Sequence, residues 1–175
     1  MLDALIASVA ELLLGELLQS FSERYPDLNV QATTRWSSDL KEMVFYNELH
    51  AAIVQGPVTP AFADGIVAER LLSLNINVVA PKGWMRTSTP TLAECAPGPW
   101  ILNPEGCSFR KYLISTFQQQ GLPYQIKVDG FGTELQMQMV SRGLGLSLLP
   151  TSCIRTSAYR DQVEELNLSD FKMES

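Results

Sequence analysis

Twice along its 175 residues this chain runs from a short apolar stretch through a turn into a segment with helical periodicity. That alternation restricts the fold more than any other feature, because strands alternating with helices build an α/β architecture with mostly parallel sheets. In the first half, Ala10, Leu13, Leu14, Leu17, Leu18 and Phe21 recur on one helical face and Pro26 stops the helix. Ser8 and Glu11 have the spacing of a capping box at its start. Leu28 to Arg35 then reads as a strand. A second helix follows Ser37-Ser38-Asp39 with Leu40, Met43 and Val44 inward, and Ala51 to Val54 is a short strand closed by Gln55-Gly56-Pro57.

Ile66 to Ala80 is too long for one ordinary strand, so it is expected to form two, Ile66–Leu72 and Asn75–Ala80, crossing into a second lobe. That lobe repeats the pattern. Trp100-Ile101-Leu102 is a strand, Pro104 to Ser108 a turn, and Phe109, Tyr112, Leu113 and Phe117 the inner face of a helix that Gly121 ends. Gln125 to Val128 is a strand, and Thr133 with Gln136 reads as another capping box, opening a helix that Gly143 terminates. Leu144 to Leu149 is a strand stopped by Pro150; beyond Ile154 the chain turns polar, and Leu166 to Ser175 gives no clear element.

Each half therefore places the start of a helix beside the end of a strand. Open α/β sheets take ligands there, since helix N-termini carry unpaired N–H donors and partial positive charge that suit anions. Two such lobes joined by two crossings are expected to enclose a cleft. Net charge is −6 and the 13 basic residues are scattered, which argues against contact with a nucleic-acid backbone. Cys95, Cys107 and Cys153 are odd in number and widely spaced, which fits reduced thiols, and no CxxC or HxxxH spacing supports a metal; no cofactor is implied. No apolar run approaches the roughly 20 residues that span a bilayer. The start lacks a secretory pattern, so the expected compartment is the cytoplasm.

Five strings then resemble the effector-binding domain of LysR-type transcriptional regulators. They are Ser8 to Pro26, Asn47-Glu48-Leu49-His50-Ala51-Ala52-Ile53-Val54, Gly65 to Leu72, Trp100 to Gly106, and Gly143-Leu144-Gly145-Leu146-Ser147-Leu148-Leu149-Pro150. The resemblance runs from about Ala7 to Ile154 in the family's order. It implies the fold of type II periplasmic binding proteins, two Rossmann-like lobes joined by two crossover segments. Lobe I would comprise residues 1–73 with 156–175, and lobe II residues 74–155. It further implies a small-molecule co-inducer, anionic or polar, between the lobes, a homodimer (a tetramer in the full-length protein), and DNA binding only through an N-terminal winged helix-turn-helix that this chain lacks. Val9 and Leu12 on the first helix, and Ile114 on that of the second lobe, are expected at the dimer contact. His50 stands where the family usually has aspartate, Gly15 where proline is common, and Trp36 and Gly132 where a small hydroxyl residue is frequent.

The expected ligand contacts are Ser8, Trp36, Ser37, Ser38, Gln55 and Gly56 from the first lobe, and Asn103, Cys107, Ser108, Phe131, Gly132 and Thr133 from the second. Ser8, Ser37, Ser38 and Thr133 can equally be helix caps alone. Cys107 can be a redox-sensitive thiol, but no neighbouring cysteine in sequence would resolve it, and a small turn-filling residue accounts for it. An enzyme on this fold is disfavoured: His50 is the sole histidine, no GxSxG turn supplies a nucleophile, and neither Gly130-x-Gly132 nor Gly143-x-Gly145 is a dinucleotide fingerprint. A solute-binding protein of a transport system is the alternative with the same fold.

Overall fold

The computed structural model describes residues 4–5, 7–55, 66–85, 87–130 and 132–174, with the side chains of residues 4–13 and 174 outside that description. They fall into two compact units, Met1–Arg70 and Leu71–Ser175.

In the first unit, three short strands pair in parallel in the order β2-β1-β3: β1 is Ala4–Leu5, β2 Thr33–Thr34 and β3 Ala52–Ile53. Helix α1, Ala7–Arg24, follows β1, and α2, Ser37–Phe45, follows β2. Their apolar faces meet the sheet in one cluster, in which buried Leu40 and Leu49 pack with Leu14, Leu17, Met43, Val44 and Ile53. The strand expected over Leu28 to Arg35 shrinks to Thr33–Thr34. Helix α1 begins at Ala7, so Ser8 falls on its second residue.

The second unit is organised by β4, Asn75–Pro81, whose Val78, Val79 and Ala80 are almost fully buried. It pairs antiparallel with β7, Ser147–Pro150, and with β8, Val163–Leu166, while β9, Met173–Glu174, pairs with its start. Strands β5, Pro99–Leu102, and β6, Gln125–Asp129, form a parallel pair joined to this sheet by a bridge between Trp100 and Leu146. The expectation of mostly parallel strands thus holds for the first unit and for β5, β6 and Leu146. Around β4 it fails, because the strand that opens the unit runs against its neighbours. Helix α4, Ser108–Gln119, buries Phe109, Leu113 and Phe117, whereas Tyr112 is 47% exposed and lies beside Phe171 at 5.8 Å. Helix α5, Thr133–Ser141, packs Met137 and Val140 against Val79, Ile101 and Leu149.

Several expectations need correction. Residues 66–72 form no strand, and Val67 and Leu71 are 97% and 63% exposed. β-rich composition marks a segment able to pair, but pairing needs a neighbouring strand. Pro150 ends β7 and immediately precedes α6, Thr151–Thr156, for whose start its extended backbone suffices. The polar tail expected to return to lobe I instead pairs, through β8 and β9, with β4 of the second unit. In β8 Val163 and Leu166 are buried with Glu164 and Glu165 between them, so the segment lacks the period-two alternation that marks a strand in sequence.

A single helical turn, α3, Leu92–Cys95, opens with a reciprocal cap between Thr91 and Glu94. The Thr91 backbone N–H and hydroxyl hold the Glu94 carboxyl below its ordinary range, and Asp170 Oδ1 accepts from Leu92 N at 2.7 Å. Burial first, and then the charges of Glu94 and Asp170, push the Cys95 thiol up from 9.0 to about 11. An unfolded chain releases that proton near pH 9 and the folded chain retains it. Stability is therefore fully present below about pH 9 and is lost as pH rises through the folded value. Urea midpoints should fall between pH 9 and 11, and Cys95→Ala should flatten that slope. An equal slope in both proteins would contradict it.

Candidate functional site

In the first unit the structure brings together the start of α2 and the end of β3. Trp36 occupies the N-cap with extended backbone (φ −70°, ψ 151°) and makes no side-chain cap. The first N–H to close the helix is that of Leu40, onto the Trp36 carbonyl at 3.0 Å. The donors of Ser37, Ser38 and Asp39 precede that bond, as at any helix start. Ser37 is buried, and its Oγ accepts from the backbone N–H of Gln55 at 3.0 Å. Gln55 is itself buried, and its Nε2 has no hydrogen-bond partner among the described residues. An amide donor buried without a partner costs roughly 1–3 kcal/mol, so its position calls for an acceptor. Ser38 points elsewhere: it is exposed and donates to Asp39 Oδ1 at 3.1 Å. The side chain of Ser8, and Gly56 entirely, lie outside the described residues.

In the second unit the predicted residues gather at the ends of β5 and β6. Leu102 leads into half-buried Asn103, whose Nδ2 reaches Cys107 Sγ at 3.6 Å. Cys107 is buried and forms the N-cap of α4 without a side-chain cap bond, and Ser108 is the first helical residue. The turn before them closes between Cys107 N and the Pro104 carbonyl, with Gly106 at φ 99°. Gly132, at φ 87°, is the N-cap of α5, and Thr133 behind it is buried. Phe131 lies outside the described residues.

The capping box expected between Thr133 and Gln136 does not form. No side chain caps α5, and Gln136 turns inward, donating to Asn103 Oδ1 at 2.8 Å and to the Gly130 carbonyl at 2.9 Å. Its Oε1 accepts from Ser147 Oγ at 2.7 Å. A buried acceptor and a buried hydroxyl outcompete an N-terminus that water can satisfy. Sequence reasoning also missed Arg110, whose guanidinium donates to the Asn103 carbonyl at 2.9 Å and forms an ion pair with Asp129. A signal for Gln136 was present. Thr133, Gln136, Met137 and Val140 share one buried face at positions i, i+3, i+4 and i+7, so an amide on that face needs internal partners.

Among the described residues no group of three or more His, Cys, Asp or Glu side chains could hold a metal ion. No helix of the described residues is long and apolar enough to cross a membrane. His50, the histidine any acid–base pair would need, is exposed at the end of the first unit's α2–β3 connection.

This arrangement matches known proteins along nearly its whole length. Among curated proteins, the transcriptional regulator GltR of Bacillus subtilis is 27% identical over 164 residues, covering 93% of this chain and 53% of GltR. The dual regulator GltC of the same organism is 27% identical over 159 residues, covering 90% and 52%. The chain thus spans about half the length of the curated relatives it matches. Among solved structures, the Synechocystis CcmR regulatory domain in complex with 2-PG superposes with a TM-score of 0.80 at 18% identity, covering 99% of this chain and 83% of that one. The effector-binding domain of QuiR in complex with shikimate gives a TM-score of 0.72 at 15% identity, covering 98% and 81%. The family model of the LysR substrate binding domain matches residues 4–175, and this chain belongs to that family.

Proposed function

We propose that this chain is the effector-sensing part of a LysR-type transcriptional regulator, a non-enzymatic domain that takes a small anionic or polar metabolite. One observation carries the proposal: the unpartnered Nε2 of buried Gln55 beside the start of α2, where Ser37 already binds the Gln55 backbone. A helix N-terminus and an unused amide donor together suit an oxygen acceptor. Asp39 in the same turn carries charge of the opposite preference, but it is exposed and its Oδ1 accepts from Ser38. The first unit offers Ser8, Trp36, Ser37, Gln55 and Gly56 as candidate effector contacts, and the second unit offers Asn103, Cys107, Ser108, Phe131, Gly132 and Thr133.

Binding then favours one conformation of the domain and shifts the assembly it belongs to. In the whole regulator, a homodimer or tetramer in the cytoplasm, that shift would move DNA-binding domains of the winged helix-turn-helix type. The net charge of −6 supports leaving DNA contact to another part of the protein. Relatives named as transcriptional regulators favour this reading over a transporter's solute-binding protein.

The test is a thermal-shift screen of small carboxylates and phosphate esters, followed by titration of the best ligand into Gln55→Leu. Leucine removes the orphan donor, so the ligand-free variant should gain about 1 kcal/mol, while effector affinity should fall about tenfold or more. Opposite signs in the two measurements are the signature of a polar group retained for binding. Unchanged affinity for every ligand found would remove Gln55 from the site. A separate expectation concerns assembly: equilibrium sedimentation at tens of micromolar should show a dimer, and a monomer alone would count against the oligomeric part of the proposal.

A further inference from the structure

The amide of Gln136 sits 1% exposed at the junction of three segments, and its polarity is dictated by chemistry. The Gly130 carbonyl can only accept a hydrogen bond, so the group 2.9 Å from it must be Nε2. The second proton of that nitrogen faces Asn103 at 2.8 Å, so Asn103 must present Oδ1 inward. Ser147 then donates to the remaining Oε1, which leaves Gln136 fully satisfied. Asn103 is pinned on its backbone side as well, by Arg110 on its carbonyl oxygen. What remains is Nδ2, which carries two protons. Among the described residues Nδ2 meets Cys107 Sγ, a weak acceptor, at 3.6 Å.

We propose that Gln136 is a positioning residue that makes Asn103 a dedicated hydrogen-bond donor, so that the effector presents an oxygen acceptor, a carboxylate or a phosphate, to the second unit. The inference rests on the effector-site reading above and extends it with a residue outside the expected contact set. The chain of bonds runs one way. An obligate acceptor fixes Gln136, Gln136 fixes Asn103, and Asn103 offers N–H at the end of β5. An asparagine without that chain could rotate its amide and accept from a donor ligand equally well. Here rotation would set Oδ1 against sulfur and Nδ2 against Nε2, losing the 2.8 Å bond.

The experiment uses the full 175-residue chain labelled with nitrogen-15, with the side-chain amide signals of Asn103 followed by NMR. The probes are acetate, inorganic phosphate and methylammonium. In the wild type, the Asn103 amide protons should shift with acetate or with phosphate, and the tighter of the two names the acceptor class; methylammonium should leave them in place. Asn103→Asp keeps an acceptor for Gln136 but replaces the donor by oxygen, so backbone signals of Gly130 and Gly132 should respond to methylammonium and no longer to either anion. Gln136→Met should weaken the anion response about tenfold and erase the preference over methylammonium, a change of selectivity that loss of packing alone would not produce. A wild-type Asn103 silent to all three probes overturns the proposal, as does a folded Gln136→Met with full anion preference. Should Gln136→Met not fold, the wild type and Asn103→Asp still decide. Neither measurement touches Gln55, so failure at Asn103 is distinguishable from failure of the first-unit site.

Discussion

Alanine at Gly145 is expected to cost about 3 kcal/mol or more of unfolding free energy, at the upper end of what overpacking does. An added Cβ there would collide with the Pro99 carbonyl oxygen, lie 3.0 Å from the Pro99 carbonyl carbon and 3.4 Å from Ile101 Cγ1. Two of those are backbone atoms and cannot swing aside as a side-chain tip would. The same Pro99 oxygen accepts from Leu146 N at 2.8 Å, and Leu146 O accepts from Ile101 N at 2.7 Å. This pair of bonds forms the bridge between the β5–β6 pair and the rest of the sheet. Relief of the collision must push β5 away and stretch it. Urea denaturation should show a lower midpoint at nearly unchanged slope. Gly15→Ala is the control: nothing lies within 4 Å of its Cβ position in the middle of α1, so helix propensity alone should add about 0.5–1 kcal/mol. Equal behaviour of the two variants would show that the close approach at Gly145 is not what that glycine is for.

The same contrast explains what could be read from the sequence. Gly143-Leu144-Gly145-Leu146 carried a recognisable pattern because its glycines answer local demands, a left-handed backbone at Gly143 and contact with Pro99 at Gly145. Helices α1, α2, α4 and α5 are legible for a related reason: their least exposed described positions repeat at helical spacing, as Leu14, Leu17, Leu18 and Phe21 show in α1 and Phe109, Leu113 and Phe117 in α4. Pairing was less legible. Val67 and Leu71 look like strand residues and pair with no strand among the described residues, while Val163–Leu166, with two glutamates, pairs with β4, the strand that organises the second unit. Strand identity depends on the neighbour, which lies far away in sequence.

The site shows the same division. Serine and asparagine at strand ends were foreseeable, since strand-to-helix turns dictate where small polar residues fall. The partner of each was not. Ser37 could be nominated as a cap or as a contact; that it accepts from Gln55, 18 positions away, requires β3 to lie beside the start of α2. Local spacing favours a cap for Gln136, yet it bonds Asn103, 33 positions away, because a buried carbonyl at Gly130 makes the stronger demand. Local patterns rank the candidates, and tertiary hydrogen bonds choose among them.

Replacing Trp100 by alanine should also cost about 3–5 kcal/mol, the range for removing a fully buried large aromatic. Trp100 is 0% exposed in β5, its indole N–H donates to the Ala96 carbonyl at 3.2 Å, and its ring centre lies 5.4 Å from that of Phe117. Phe117 in turn stacks on Tyr124 at 5.2 Å, so one side chain ties β5 to α4 and to the segment entering β6. Truncation removes all of this and leaves a cavity between a strand and a helix that backbone bonds hold in place. Trp100→Phe divides the effect: most of the ring packing survives, while the Ala96 carbonyl loses its donor, so about 1–2 kcal/mol is expected. Because Trp100 also carries the parallel bridge to Leu146, its alanine variant should relax β5 in the direction that Gly145→Ala forces it. Combined, the two substitutions should therefore cost less than the sum of their separate effects, by more than the roughly 0.5 kcal/mol within which independent sites add. Full additivity would mean that the β5–β7 junction does not yield as a unit, and that the collision at Gly145 is relieved elsewhere.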